Sequence, residues 1–436
     1  MGFEVKSIGE VCSVGDGAHS KVTRVETGIP YLTSKNIGQG FLKLDKLDYI
    51  SEESFEKLFS KDSKATRRPQ AGDVLFGIIG SFGNTYLYKE SDFFGFSSSI
   101  GILRPNPELL DSEYLYYVVS SKKFRDNHAN HNSGSVQGYT NIPTVKGLPL
   151  PVPSIAVQKK IAKVLQSLDR KIAVNQQTNQ TLEAMAQAIF KSWFVDFDPV
   201  KAKMRGEQPE GMDEATASLF PEKLVESELG LIPEGWEIKP IKDLCSKVQN
   251  GGTPKRSESS YWDDGDIPWL TSGEVRQSII TSVENRITQL GLDKSSAKWV
   301  PELSTLVALY GATAGEVSLT SMPLTTNQAV CALMPKKEHQ WYNYLQLKSR
   351  VAELAGKAVG SAQQNISKGL VESTEVLSVP VSLLEAFNAQ VENLFKLRIC
   401  NLQQNVELAN LRDTLLPKLL SGEIELGQAQ KLAEVE

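Results

Sequence analysis

The stretch GFEVKSIGEVCS at residues 2–13 returns as GWEIKPIKDLCS at residues 235–246, with glycine, an aromatic, Glu, an aliphatic, Lys, Ile and Cys-Ser at the same spacing. Working outward, GIPYLTSKNI (28–37) matches DIPWLTSGEV (266–275), GSFGN (80–84) matches GATAG (311–315), and ILRPN (102–106) matches ALMPK (332–336). SGSVQ (133–137) then matches VGSAQ (359–363), LPVP (150–153) matches SVPV (378–381), and NQQTNQTLEAM (175–185) matches NLQQNVELANL (401–411). The offset stays between 226 and 238 throughout, which loop-length changes on a shared scaffold explain and chance does not. The chain is one architectural unit written twice.

Each copy opens with short β-favouring runs punctuated by Gly, Pro and Asn, and closes with a proline stop and a long helical run. Asp73–Ile79, Phe96–Leu103 and Thr305–Tyr310 read as buried strands, and Glu113–Arg125 and Gln340–Leu354 as amphipathic helices. The fold class expected is α+β: two similar mixed domains separated by two long helices. The first helix should start near Ser154, after Pro151-Val-Pro153. Its apolar stripe, Ile161, Leu165, Leu168, Ile172, Asn175, Asn179, Leu182, Ala186, Ile189, alternates steps of four and three, a coiled-coil seam. The second helix repeats this less cleanly through Phe387, Val391, Leu394, Leu397, Asn401, Leu408, Leu411 and Leu415, ending at Pro417 or shortly after.

Asn175 and Asn179 recur as Asn401 and Asn405. A polar residue in a seam costs stability but fixes register when it meets a partner. The expectation is an antiparallel coiled coil in which these layers meet; the alternative is that they face solvent or another protein. The resulting division is 1–153, first domain; 154–195, first helix; 196–234, a polar linker with one short helical turn; 235–380, second domain; 381–422, second helix; and 423–436, a tail.

Composition sets limits. With 436 residues, 40% hydrophobic and 23% charged, the chain suits two globular units and none of the disordered, collagen-like or disulfide-rich classes. No apolar run approaches the roughly 20 residues a membrane span needs, and MGFEVKSIGEVC lacks the layout of an export signal. Cys12, Cys245, Cys331 and Cys400 are scattered, which reads as reduced small hydrophobes and a cytoplasmic chain. The net charge of −5 argues mildly against a polyanionic partner. However, residues 1–150 hold 17 basic against 17 acidic side chains and residues 235–380 hold 15 against 15, so the deficit lies outside both blocks.

Catalytic signatures are missing. There is no Gly-rich cofactor turn, no Asn/Asp-Pro-Pro-aromatic segment of an amine methyltransferase, and no G-x-x-x-x-G-K-[ST] phosphate cradle. Glu237-Ile-Lys239 could be forced into a nuclease pattern, but Glu4-Val-Lys6 repeats it, and alternating solvent-facing charges account for both. His128 and His131 are close but lack a third ligand, so no metal site is expected.

Two domains each trailing a long helix suit the reading of two half-sites: about 36 helical residues span on the order of 54 Å, one to one and a half turns of duplex. Three segments make this specific. QKKIAKVLQSLDRKIAVNQQTNQTLEAMAQAIFKSWFVDFDPV (158–200), ELGLIPEGWEIKPIKDLC (228–245) and LRDTLLPKLLSGEI (411–424) resemble the conserved regions of type I restriction–modification specificity subunits. The resemblance implies two target recognition domains, each reading half of a bipartite, asymmetric site in double-stranded DNA, with the helices as spacer and docking surface. It implies methyltransferase subunits, two per chain, and restriction/translocase subunits as partners. S-adenosylmethionine, ATP and Mg would belong to those partners, and this chain would be non-catalytic.

Base edges and phosphates are read by polar and basic groups on exposed loops. The candidates are the repeat-matched loops: Lys21, Lys35 and Asn36 with Ser272 and Arg276; Ser81 and Asn84 with Thr313; Ser97 and Ser98 with Asn327 and Gln328; and Ser135 and Gln137 with Gln363, Gln364 and Asn365. A turn or capping role is the competing reading for each. Two other functions stay open: an interaction scaffold without DNA, and a self-contained nuclease or methyltransferase with an unrecognised site.

Overall fold

The computed structural model describes residues 3–62, 65–131, 138–357, 365–421 and 423–435. It forms two compact units: Met1–Ala173 with Asn405–Glu436, and Val174–Gln404. Each unit therefore combines one repeat block with part of both long helices.

In the first unit, Cys12–Asp16, Ile100–Pro105, Val74–Gly77 and Thr85–Leu87 form an antiparallel sheet in that order. A second sheet sets Ile29–Leu32 between Asp48–Ile50, antiparallel, and Gly95–Phe96, parallel. Val5–Ser7 pairs with Pro149–Pro151, tying the start of the block to its end. The central strands are apolar on both faces. Val74, Phe76 and Leu103 enter a core shared with Ile161, Leu165 and Leu168 of the first long helix, while Leu75, Ile100 and Ile102 enter a core with Tyr31, Phe55 and Phe96. Each such fully buried Leu or Ile contributes about 1.5–3 kcal/mol.

The second unit repeats this order. Cys245–Asn250, Val330–Pro335, Thr305–Ala308 and Val317–Thr320 form the same sheet, extended by Ile279–Ile280. Asn285–Ile287, Ile267–Leu270 and Leu324–Thr326 form the other, extended by Trp299–Val300, and Glu237–Pro240 pairs with Glu375–Ser378. The alternation repeats too: Val307, Cys331 and Leu333 face one core, and Leu306, Ala308, Val330 and Ala332 the other. Register follows from this, because a one-residue slip would exchange the faces.

Two helices expected as continuous are broken. Glu113–Arg125 is split between Ser112–Ser120 and Lys122–Ala129: Ser121 is extended (φ −63°, ψ 147°) and its hydroxyl accepts from the Phe124 amide at 3.2 Å. Gln340–Leu354 is split between Gln340–Lys348 and Val351–Gly356. Nor is the former amphipathic, since every residue from Trp341 to Leu347 is buried. Trp341 stacks on Phe395 with centroids 4.4 Å apart, and Tyr344 donates to the Ser278 carbonyl at 3.2 Å.

The long helices run Ile155–Phe194 and Val381–Ser421, the second passing through Pro417. On the first, Ile161, Leu165, Leu168, Asn175, Asn179, Leu182 and Ala186 are buried, and Ile172 and Ile189 partly so. Gln158 fixes its entry: the side-chain amide donates to Leu109 O (2.9 Å) and Pro153 O (2.7 Å) and accepts from Asp111 N (2.8 Å). On the second, Leu397 is 46% exposed and leaves the expected stripe. Arg398, 2% exposed, takes its place. The seam is Phe387, Val391, Leu394, Arg398, Asn401, Asn405, Leu408, Arg412 and Leu415, as strict an alternation of four and three as the first.

Segment 196–234 is folded, not a bare linker. It contains helices Asp198–Met204 and Glu214–Ser218 and a hairpin pairing Leu224–Ser227 with Gly230–Pro233. Val200, Phe220 and Ile232 join the core of the second unit. Phe197 makes the turn after the first helix in the left-handed region (φ 57°), held edge-on against Trp236 at 5.8 Å. The polar composition hid these few apolar anchors. The C-terminal segment likewise forms a helix, Leu426–Val435, with Ala429 buried.

Candidate nucleic-acid interface

In the first unit the predicted loops converge. The Ser34 amide donates to Ser99 Oγ (2.9 Å), the Ser81 amide to Ser34 Oγ (3.4 Å), and the Ser97 amide to Leu32 O (2.9 Å). Ser98 N donates to Ala18 O at 3.0 Å, and Gly80 N to Gly138 O at 3.1 Å. Loops holding Lys35, Asn36, Ser81, Asn84, Ser97 and Ser98 thus share one end of the domain. Gly17 permits the crossing there, because a Cβ would lie 2.2 Å from Phe96 O.

The second unit makes the same crossing with Gly251, where a Cβ would lie 2.0 Å from Thr326 O. Asn327 N donates to Leu270 O (3.0 Å), Arg276 Nη2 to Ala312 O (3.3 Å), and Tyr310 bridges the backbone of Asn365. Ser272, Arg276, Thr313, Asn327, Gln328 and Asn365 therefore stand on one loop cluster as well. Ser135, Gln137, Gln363 and Gln364 lie outside the described residues.

The candidates divide by what their side chains already do. Asn36 spends its whole amide on its own turn: Oδ1 accepts from Thr33 N (2.9 Å) and Thr33 Oγ1 (3.1 Å), and Nδ2 donates to Lys43 O and Lys46 O (both 3.1 Å). Asn84 donates to Ile37 O at 2.9 Å, the Asn327 oxygen accepts from Ala329 N at 3.1 Å, and Thr313, 5% exposed, donates to Tyr310 O at 3.3 Å. These are braces. Ser97 shares a hydrogen bond with Ser99 (2.7 Å), and Ser81, Ser98 and Ser272 are half-buried. Lys21, Lys35, Arg276, Gln328 and Asn365 are exposed. Gln328 Oε1 accepts from Thr253 Oγ1 at 2.5 Å.

Loop 251–256 was missed by sequence reasoning, although Gly251-Gly252 before Thr-Pro, aligned with Gly17, carried the signal. His128, half of the close histidine pair, has a packing role. It is fully buried, stacked on Phe82 at 3.9 Å beneath the 80–84 loop, and burial, with His131 adding to it, pushes its pKa down to about 4. Among the described residues no cluster of three or more His, Cys, Asp or Glu could hold a metal ion. Glu237 and Lys239 pair with each other at 2.6 Å, as Glu4 and Lys6 do at 3.5 Å. No helix among the described residues is long and apolar enough to cross a membrane.

The helix pair is antiparallel within each unit. Asn175 Nδ2 donates to Gln404 Oε1 (2.8 Å), Asn401 Nδ2 to Asn179 Oδ1 (2.9 Å), and Asn179 Nδ2 to Arg398 O (3.2 Å). In the first unit Arg412 Nη1 meets Asp169 Oδ1 at 2.7 Å, and Tyr117 donates to Asp169 Oδ2 at 2.7 Å. Burial works against the Arg412 charge, but bonds to Asp413 and Asp169 outweigh it and raise its pKa.

Residues 1–184 and 233–392 match the family described as type I restriction modification DNA specificity domain. The chain is 30% identical to the HindI specificity subunit of Haemophilus influenzae, over 83% of this chain and 88% of that one. It is 27% identical to the MjaIX specificity subunit of Methanocaldococcus jannaschii, over 97% and 93%. A crystal structure of the type I S subunit from M. genitalium shares the fold, with a TM-score of 0.54 and 15% identity over 96% of each chain. Repeat, helix pair and family match agree: the chain belongs to the type I restriction–modification DNA specificity family, as a subunit whose two recognition domains serve the two halves of a bipartite site.

Proposed function

We propose that the two loop clusters are the DNA-reading surfaces, one per half-site. The observation that carries this is their equivalence: the same strand order brings the same loops together twice, at Gly17 and at Gly251, while the side chains presented differ. Lys35 in one cluster, with Lys21 three residues beyond the Ala18 contact, and Arg276, Gln328 and Asn365 in the other, are the exposed groups suited to bases and phosphates. Asn36, Asn84 and Thr313 hold the loops that present them.

The recognition domains occupy 1–153 and 235–380. The helices, 154–195 and 381–422, act as spacer, with Asn175, Asn179, Asn401 and Asn405 setting their register. Their outer faces dock modification subunits, two per chain, and the complex with restriction/translocase subunits works in the cytoplasm. Methyl transfer and ATP-driven cleavage belong to those partners.

The test is to purify the chain with its modification subunit and map methylated bases across genomic DNA. A bipartite motif with a fixed unread gap is expected. Exchanging residues 1–153 for another such domain should change one half only; a change in both halves refutes the assignment of one reader per half.

A further inference from the structure

The repeat places an arginine over the same aromatic position in both copies. Arg24 lies 4.4 Å above the Tyr31 ring, and Arg256 lies 4.8 Å from the Trp269 ring, where Trp269 is the repeat partner of Tyr31. Their electrostatic surroundings differ. Arg24 Nε donates to Asp48 Oδ2 at 2.8 Å, and Asp48 sits opposite Tyr31 in the sheet. The residue opposite Trp269 is Asn285, so the second copy has no carboxylate at that place.

Among the described residues Arg256 makes no ion pair, although it is exposed and charged. Its guanidinium instead lies against a second ring, Trp262, at 3.9 Å. Both indoles also pin the backbone of its loop: Trp269 Nε1 donates to Gly252 O at 2.9 Å, and Trp262 Nε1 to Lys255 O at 3.2 Å. Thr253 of the same loop bonds Gln328, inside the loop cluster. The result is a planar cation held by two aromatic faces on an anchored loop, with its hydrogen-bond fork unspent on any carboxylate.

We propose that Arg256 is a DNA phosphate contact of the second recognition domain, and that Asp48 suppresses the equivalent contact by Arg24 in the first. This rests on the loop clusters being the reading surfaces. Phosphate is favoured over a base edge because stacked arginine is common to both copies, whereas base readers must differ between half-sites. A forked guanidinium suits a phosphate oxyanion, and an ion pair with Asp48 would compete directly with it.

The test measures equilibrium binding of the complete modification complex to its cognate duplex and to an unrelated duplex over a range of salt, with methylated-site maps alongside. For Arg256→Met, which keeps an apolar stem over the tryptophans, the slope of log K against log salt should shrink by about 1. Affinity should fall by a similar factor on both duplexes, and the methylated motif should stay unchanged. Arg256→Lys should retain most of the slope, and Asp48→Asn should increase it by about 1.

A motif degraded at one base pair would overturn the proposal in favour of base reading. An unchanged slope accompanied by a lower melting temperature would overturn it in favour of a covering role for the tryptophans. If the parent complex yields a bipartite motif and the variants leave the slope unaltered, the Arg256 assignment fails alone; if the parent yields no bipartite motif, the reading surfaces themselves fail.

Discussion

Arg398 Nη2 stands 2.7 Å from Glu183 Oε2 across the two long helices, with the arginine 2% exposed and the glutamate side chain 25% exposed. The same nitrogen reaches Ser278 Oγ at 3.3 Å, while Nε and Nη1 are buried without a hydrogen-bond partner. A guanidinium so placed depends on its one carboxylate. Glu183→Leu should therefore lower stability by about 3 kcal/mol, the range for an orphaned buried charge. Glu183→Leu with Arg398→Met should recover most of the loss. Thermal unfolding of the two variants checks this, and a double variant no more stable than the single one would show that the pair is not the source.

The Asn179–Asn401 layer makes a different demand, because its groups are neutral. Asn401→Leu alone strands the Asn179 carbonyl oxygen in the seam and should cost about 1–3 kcal/mol. Replacing both by Leu should raise the melting temperature above the single variant. It should also remove the layer that pins one helix against the other, so the methylated motif of the assembled complex should show more than one gap length. A single sharp gap in the double variant would move register control elsewhere, to the Asp169–Arg412 pair.

The second seam explains what was legible in the sequence and what was not. The duplication and the antiparallel helices could be read because apolar periodicity and matched spacing are one-dimensional signals; of the expected Asn layers the structure shows Asn401 bonded to Asn179, while Asn175 meets Gln404. Arg398 and Arg412 could not be read as seam residues, because their seats depend on Glu183 and Asp169 more than 200 positions away. Apolar periodicity alone therefore puts Leu397 in the seat of Arg398, shifting the stripe by one. The loop candidates met the same limit. Asn36 and Lys35 are neighbours in a polar turn, yet one spends every hydrogen bond on Thr33, Lys43 and Lys46 of the same loop and the other faces solvent. Only the fold separates a bracing side chain from an exposed one.

His128 gives the first domain an acid sensitivity whose sign is fixed. Its pKa is depressed from 6.5 to about 4 by burial between Phe76 and Phe82, with the His131 charge adding to the effect. The folded state therefore holds the neutral ring, and the stabilisation is complete above about 6.5 and lost as pH falls towards 4. At 1.36 kcal/mol per unit the loss is on the order of 3 kcal/mol. His128→Phe should flatten that part of the profile. Asp73, raised by burial against the pull of Arg104, works with the opposite sign. Parent and variant must therefore be compared at each pH, and parallel unfolding profiles between pH 7 and 4 would contradict the assignment.

On the spacer role proposed for the helices, their periodicity predicts the gap in the DNA site. Residues 170–176 and 404–410 are one heptad on each helix, flanked by the Asp169–Arg412 pair on one side and the Asn179–Asn401 bond on the other. Removing both keeps the alternation of four and three on each seam, so the flanking layers can close up without rotation. The pair shortens by seven residues at 1.5 Å each, about 10 Å, or roughly three base pairs of duplex. The assembled complex should then methylate the same two half-sites with a gap about three base pairs shorter. Deleting five residues from each helix instead turns each seam by about 140°, away from its partner, and should abolish methylation. If the heptad deletion leaves the gap unchanged, some element other than these helices measures the distance between the half-sites.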